Sequence, residues 1–347
     1  MTSLIGNAPV DGVDVAALLG IPISAEQERA VQAPLKPCAV IAGAGTGKTT
    51  VMAARVVWLV ASRLVSPEEI LGLTFTNKAT AELSERIESN LTRVGLLTSE
   101  QPRPTVATYD SFAGTLVNDY GAWDGISTGA HLITGARAYQ LAAEVVMGLD
   151  KAPLAATHMG PTFIAQAVVK LAGAMASHDA SPGKVRRADA RWRQMLLAAP
   201  TKRGGDRYAD IDKWLSRVDE REELLDLVAA YQNLKKERGL VEFGDRMVQA
   251  LHLVTHHPRV GEELRARYRV VLLDEYQDTS SAQADVLAAL FSGPDSAHGM
   301  GHPVMAVGDP LQAIYEWRGA AASNILEFHR RFPNKEGTPA QVLSLAT

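Results

Sequence analysis

The chain of 347 residues contains a single cysteine, Cys38, so no internal disulfide can staple it. No apolar run approaches the length of about 18 residues that a membrane span requires. The segment Met1 to Leu19 carries two aspartates and lacks a basic n-region, so a signal peptide is not expected and a cytoplasmic location is. Aromatic residues are scarce, at 6%, and the formal net charge is −4. Without a global positive field, a nucleic-acid partner would have to be gripped by local basic and aromatic groups. Low-complexity segments are also missing. What is present, 46% hydrophobic and 21% charged residues, is the balance of a globular protein with a sizeable core. At roughly 100–200 residues per domain the length suggests two or three compact units.

The most informative stretch is Ala42-Gly43-Ala44-Gly45-Thr46-Gly47-Lys48-Thr49, which follows an apolar run and precedes a helical pattern. That is the context of a phosphate-binding loop, with Ala42 in place of its first glycine. Backbone N–H groups of Gly43, Ala44, Gly45, Thr46 and Gly47 would turn inward around a phosphate, assisted by the N-terminus of the helix that continues through Thr50. Lys48 supplies a point charge and the Thr49 hydroxyl a ligand for Mg²⁺, which makes ATP and Mg²⁺ the expected cofactors. A second element, Val270 to Leu273 followed by Asp274 and Glu275, is a buried-strand pattern ending in two acids. At such a strand end Asp274 would take the metal side and Glu275 would orient the water that attacks the γ-phosphate, so Lys48, Asp274 and Glu275 are the catalytic candidates.

Short β-branched runs at 38–42, 70–75, 104–108, 270–273, 303–307 and 342–345, mostly followed by helical patterns, predict an α/β fold with a mostly parallel sheet. Between about 114 and 240 the strand signals give way to helical stretches: Ala136 to Met147, Thr162 to Ala176, Ala188 to Ala198 and Glu220 to Lys236. The expected organisation is therefore one α/β domain, 1–113 and 241–347, interrupted by an all-helical insertion, 114–240. Lys184 to Lys213 carries nine Lys or Arg against four Asp, interleaved with Trp192, Tyr208 and Trp214. That mixture suits either a surface tracking a phosphate backbone or a solvated face.

Aromatics recur at expected strand ends. Phe75 with Asn77, Tyr109 with Asp110, and Tyr315 with Trp317 are candidates for a platform that stacks bases of a single strand regardless of sequence. Phe75 taken alone reads more readily as core. Gln27 has an amide able to address an adenine edge, although Ser24 to Gln27 also reads as a capping box.

The order Gln27, AGAGTGKTT, TFTNKA, TYDSFA, LLDEYQDTS and VGDPLQAIYEWRGA resembles the UvrD/Rep/PcrA group of superfamily-one DNA helicases along essentially the whole chain. Within that group, AARVVWLVAS, LGLTFTNKATAEL and PTVATYDSFAGTL look most like the AdnB-type subunit of the actinobacterial AdnAB helicase-nuclease. The resemblance implies a RecA-like ATPase domain (1A) interrupted by a helical 1B domain. It also implies 3′-to-5′ translocation on single-stranded DNA, work in repair or recombination, contact with double-stranded DNA, and a second helicase-nuclease subunit as partner. On matching positions Gln27 would read adenine, Gln312 would sense the γ-phosphate, and Phe75, Asn77, Tyr109, Tyr315, Trp317 and Arg318 would meet DNA. Two positions depart from the pattern: Thr50 stands where many relatives have arginine, and Asp110 where many have histidine. The resemblance further implies a second RecA-like domain, not expected within these 347 residues, whose arginines complete the ATP site. The chain alone is thus expected to bind ATP with little turnover, or to serve as a non-catalytic ATP and single-stranded-DNA binding module.

Overall fold

A computed structural model describes residues 10, 12–127, 129–150, 160–202, 205–315 and 319–345. They fall into two compact units, 1–124 with 249–347, and 125–248. In chain order the first unit begins with α1 (Val15–Leu19), α2 (Ala25–Val31), β1 (Cys38–Ala42), α3 (Lys48–Ala61), β2 (Ile70–Thr74), α4 (Asn77–Arg93), β3 (Thr105–Thr108) and α5 (Tyr109–Tyr120). The second unit contains β4 (His131–Leu132), α6 (Gly135–Met147), α7 (Pro161–Ser177), α8 (Pro182–Leu197), α9 (Ala209–Glu237) and β5 (Leu240–Val241). The division falls inside α10 (Phe243–His256). The first unit then resumes with α11 (Pro258–Arg267), β6 (Val270–Leu273), α12 (Ser281–Phe291), β7 (Val304–Gly308), α13 (Ser323–Arg331) and β8 (Gln341–Leu345).

The first unit is built on a six-stranded sheet in the order β3-β2-β6-β7-β1-β8, every neighbouring pair parallel. β2, β6 and β7 are buried at every position, as parallel strands covered on both faces must be. Their largely apolar content is what made them visible in the sequence. Helix α3 buries Val51 through Val57 without interruption, so it is a core helix rather than a surface one. It packs with β1, α4 and β6 into one cluster that includes Val40, Met52, Leu59, Leu83, Ile87 and Leu272. Because all six strands run the same way, their carboxyl ends share one edge, and every strand-end motif is delivered there.

The second unit is helical, apart from the two-residue parallel pair β4–β5. Its core joins α6, α7 and α9 through residues such as Leu141, Ile164, Val168, Leu225 and Tyr231. α8 begins at Pro182 rather than Ala188, because Ser181 caps it through the Lys184 amide and Pro182 sits at its first turn. The charges of 184–213 do not form a bare cationic track. Arg186 pairs with Glu222 and Asp226, Arg193 with Asp219, and the Arg221 guanidinium with Asp189, so oppositely charged faces of α8 and α9 meet. Arg207 pairs with Asp212 as well. Trp192, Tyr208 and Trp214 are exposed, and Lys202 and Arg217 lie over the last two rings. Among the described residues, no helix is long and apolar enough to cross a membrane.

Candidate functional site

The phosphate loop occupies the turn between β1 and α3. Gly45 and Gly47 adopt φ of +78° and +83°, values that L side chains resist, and Thr46 closes the turn by donating its hydroxyl to the Gly43 carbonyl at 2.8 Å. A Cβ at Gly47 would stand 3.0 Å from Gln27 Nε2. Gln27 closes the capping box of α2, its Oε1 accepting from the Ser24 amide at 2.9 Å, while Nε2 donates to the Thr46 carbonyl at 2.9 Å. The capping-box reading of this glutamine is observed, and its free amide end also touches the phosphate loop. Arg86 on α4 donates to the Thr50 hydroxyl at 3.1 Å, bringing a guanidinium beside this threonine.

Asp274 and Glu275 follow β6, which is separated from β1 by β7. Lys48 Nζ lies 3.0 Å from Glu275 Oε2 and 3.5 Å from Gln312 Oε1, so two of the catalytic candidates meet the expected γ-phosphate sensor, although 227 and 264 positions separate the lysine from its partners. Glu275 has φ +46° and ψ +45°, a left-handed conformation that costs a non-glycine residue roughly 1–3 kcal/mol. Asp274 is 5% exposed, and its Oδ1 has no hydrogen-bond partner among the described residues. Burial, reinforced by the neighbouring Glu275 charge, raises its pKa from 3.8 to about 7. An orphaned, buried carboxylate oxygen beside a phosphate loop fits a divalent cation, which would supply the missing partner and favour the ionised form. Mg²⁺ in nucleotide sites takes one or two carboxylates plus phosphate and water oxygens. Asp274 and Thr49 match that sparse donor set, and among the described residues no group of three or more His, Cys, Asp or Glu stands ready to cage a metal.

Two functional residues escaped the sequence reading. Gln277, 1% exposed, donates to Glu275 Oε2 at 2.8 Å and to Asp278 Oδ2 at 3.3 Å, and accepts from the Asp309 amide at 3.1 Å. It thereby ties β6's end to β7's. Asp309 accepts from Gln312 Nε2 at 2.5 Å and from the Leu311 amide at 2.9 Å, which fixes the glutamine that reaches Lys48. The signal was a polar residue following a buried strand, but the strings that contain Gln277 and Asp309 do not say which polar residue turns inward.

The aromatic candidates divide. Phe75 and Tyr315 are partly buried and in mutual contact, ring centroids 4.7 Å apart and planes inclined by 31°. Asn77 is exposed at the start of α4, whose Thr76 cap accepts from the Ala79 amide. Leu311 and Ile314 beside Tyr315 are 94% and 68% exposed. Tyr109 departs from the expectation of an exposed strand-end ring. It is 3% exposed, and its hydroxyl donates to the Asp274 carbonyl at 2.8 Å, so it lies in the core beneath the acid pair and offers no face to a base. Asp110 accepts from Gln283 Nε2 at 2.9 Å, which gives this acid a local partner. Trp317 and Arg318 lie outside the described residues.

A glycine-rich loop after one parallel strand, an acid pair after a second and a glutamine after a third define a P-loop nucleotide-binding domain of the RecA-like class. Residues 23–333 match the family described as UvrD/REP helicase N-terminal domain, and the chain belongs to that family. It is 28% identical over 313 residues to DNA helicase II of Rickettsia typhi, covering 89% of this chain and 40% of that protein. The ATP-dependent DNA helicase UvrD1 of Mycobacterium tuberculosis is 28% identical over 317 residues, 90% of this chain and 36% of the relative. DNA helicase II of Escherichia coli K12 is 28% identical over 324 residues, 93% and 38%. The chain thus spans about two fifths of the length of the curated relatives it matches.

Proposed function

We propose that the chain is the ATP-binding part of an ATP-dependent DNA helicase that tracks single-stranded DNA in the 3′-to-5′ direction during repair or recombination. The observation that carries this reading is the convergence of Lys48, Glu275 and Gln312 at one sheet edge, beside the orphaned Asp274 oxygen. In this reading the sheet unit serves as domain 1A and the helical unit as domain 1B of a cytoplasmic enzyme; the expected bounds of 1–113, 114–240 and 241–347 move to 1–124, 125–248 and 249–347, because α5 stays whole with the sheet.

Lys48 exchanges Glu275 for the β/γ-phosphates when ATP arrives, and the released carboxylate orients the attacking water. Gln312, steadied by Asp309, registers whether the γ-phosphate is present. Gln27, Thr50 and the loop from Gly43 to Gly47 hold the rest of the nucleotide. Mg²⁺, held by Thr49 and Asp274, supplies charge neutralisation on the phosphate oxygens. Phe75, Asn77 and Tyr315, together with Trp317 and Arg318 from the same loop sequence, are assigned to DNA. Stacking on such rings is worth about 1–3 kcal/mol per base and is indifferent to sequence. The motifs that resemble the AdnB type further suggest a helicase-nuclease assembly with a second subunit.

The chain by itself is proposed to bind ATP and hydrolyse it slowly. Relatives are far longer, and the resemblance implies arginines from a second RecA-like domain, each worth roughly 10³–10⁵ in rate. ATP turnover by the 347-residue chain, with and without single-stranded DNA and beside Lys48→Ala, tests this. Nucleotide binding that depends on Lys48, with negligible turnover, is the expected result. Brisk DNA-stimulated turnover would show that the chain completes its own site, and binding indifferent to Lys48 would overturn the ATP site altogether.

A further inference from the structure

Tyr109 is not needed to fill the DNA platform, and its position suggests another task. The carbonyl that accepts its hydroxyl at 2.8 Å belongs to the peptide joining Asp274 to Glu275. That peptide leads into a left-handed residue, with φ +46° at Glu275. The angle φ measures rotation about the N–Cα bond of Glu275, so this conformation persists only while both sides of the bond are gripped. On the far side the carboxylate is held by Lys48 at 3.0 Å and Gln277 at 2.8 Å. On the near side the Asp274 amide donates to Leu73 O at 2.8 Å, and the Tyr109 hydroxyl holds the carbonyl. When a phosphate draws Lys48 away, the far grip loosens and the near one must suffice.

We infer that Tyr109 is a positioning residue: its hydroxyl, through the Asp274 carbonyl, keeps Glu275 in the left-handed conformation that aims its carboxylate at the phosphate site. The inference rests on reading Glu275 as the water-orienting base. The phenol remains a proton donor throughout the working range, since burial pushes its pKa well above the ordinary value, with the surrounding acids adding to the effect. Tyr109 opens α5, whose Thr108 cap accepts from the Ser111 amide at 3.1 Å, and the next residue, Asp110, is bound by Gln283 on α12. The ring is therefore carried on a start of helix that is itself fixed at two points.

Tyr109→Phe tests this, because phenylalanine fills the ring's space and lacks only the donor. Hydrogen exchange followed by mass spectrometry on the intact chain should show peptides covering residues 274–278 exchanging about tenfold faster, with those over β1 and β7 unchanged. ATP affinity should stay within about twofold, while the slow hydrolysis proposed for the parent, followed as a single turnover with the chain in excess over ATP-Mg²⁺, falls about tenfold. Unchanged exchange at 274–278, or an increase spread across the sheet, would overturn the inference and leave Tyr109 as a core ring. Lys48→Ala run in parallel keeps the two readings apart. If it binds ATP as the parent does, the ATP site falls, while the exchange result still decides what Tyr109 holds.

Discussion

Asp274 keeps its proton to a higher pH than an ordinary carboxyl does. Its pKa stands near 7 in the folded chain against an ordinary 3.8, because burial opposes its charge and Glu275 adds repulsion. Between those values the folded chain holds a proton that the unfolded chain has released. Stability from this group is therefore fullest below pH 4 and declines as pH rises through about 7. Asp274→Asn removes the titration, so urea unfolding between pH 4 and 7 should show a shallower decline for the variant than for the parent. Identical slopes would mean that the carboxyl is already ionised in the fold. A cation bound at Asp274 must displace that proton, so ATP-Mg²⁺ binding should tighten as pH rises through the same range. At Gly308 the requirement is one of space: a Cβ there would come within 2.3 Å of Gln277 Oε1. Gly308→Ala is expected to force the Gln277 amide away from Glu275 and Asp309 and to cost about 1–3 kcal/mol in denaturant unfolding. An unaltered midpoint would show that the amide has room to move.

At the scale of elements, α2 and α3 are joined by a buried cation. Arg55, 2% exposed, donates to the carbonyls of Val31 at 2.7 Å, Ala33 at 2.6 Å and Pro34 at 3.3 Å, all at the end of the helix that carries Gln27. Among the described residues no carboxylate pairs with it. Burial lowers its pKa to about 10, and the carbonyl dipoles at a helix C-terminus do the work of a counter-charge. Arg55→Met should destabilise the chain by about 2–4 kcal/mol, since three carbonyls lose a charged donor at once. It should also weaken ATP binding through Gln27; a loss of stability with unchanged nucleotide affinity would place the arginine in the core alone. Much of this framework was legible beforehand. Strands at 38–42 and 270–273 appear where their apolar runs predicted, because residues buried on both faces leave a continuous signature. Lys48, Glu275 and Gln312 were legible as motif residues. Arg55 was not, because an arginine in an otherwise apolar helix reads as its polar edge. Tyr109 was misplaced for the complementary reason: whether a strand-end ring turns out or in depends on neighbouring strands that are remote in sequence.

The whole molecule comprises two units with separate cores, one around α3 and the parallel sheet, the other around α6, α7 and α9. The nucleotide residues described above all belong to the sheet unit. Calorimetry should therefore resolve two unfolding transitions, of which ATP-Mg²⁺ raises only one. At a ligand concentration about 100-fold above Kd the expected gain is about 2.7 kcal/mol. A single transition that shifts as a whole would indicate that the cores melt together. The strand order has a consequence for biosynthesis as well. β1 leaves the ribosome early, yet its two hydrogen-bonded neighbours are β7, where Cys38 pairs with Met305, and β8, where Cys38 pairs with Gln341. At roughly 5–20 residues per second, translation takes on the order of 10–50 s to reach β7. Throughout that interval β1 lacks both of its hydrogen-bonded neighbours, with only α3 and the helices packed on it for cover, so the nascent chain is a natural client for chaperones until β7 and β8 arrive.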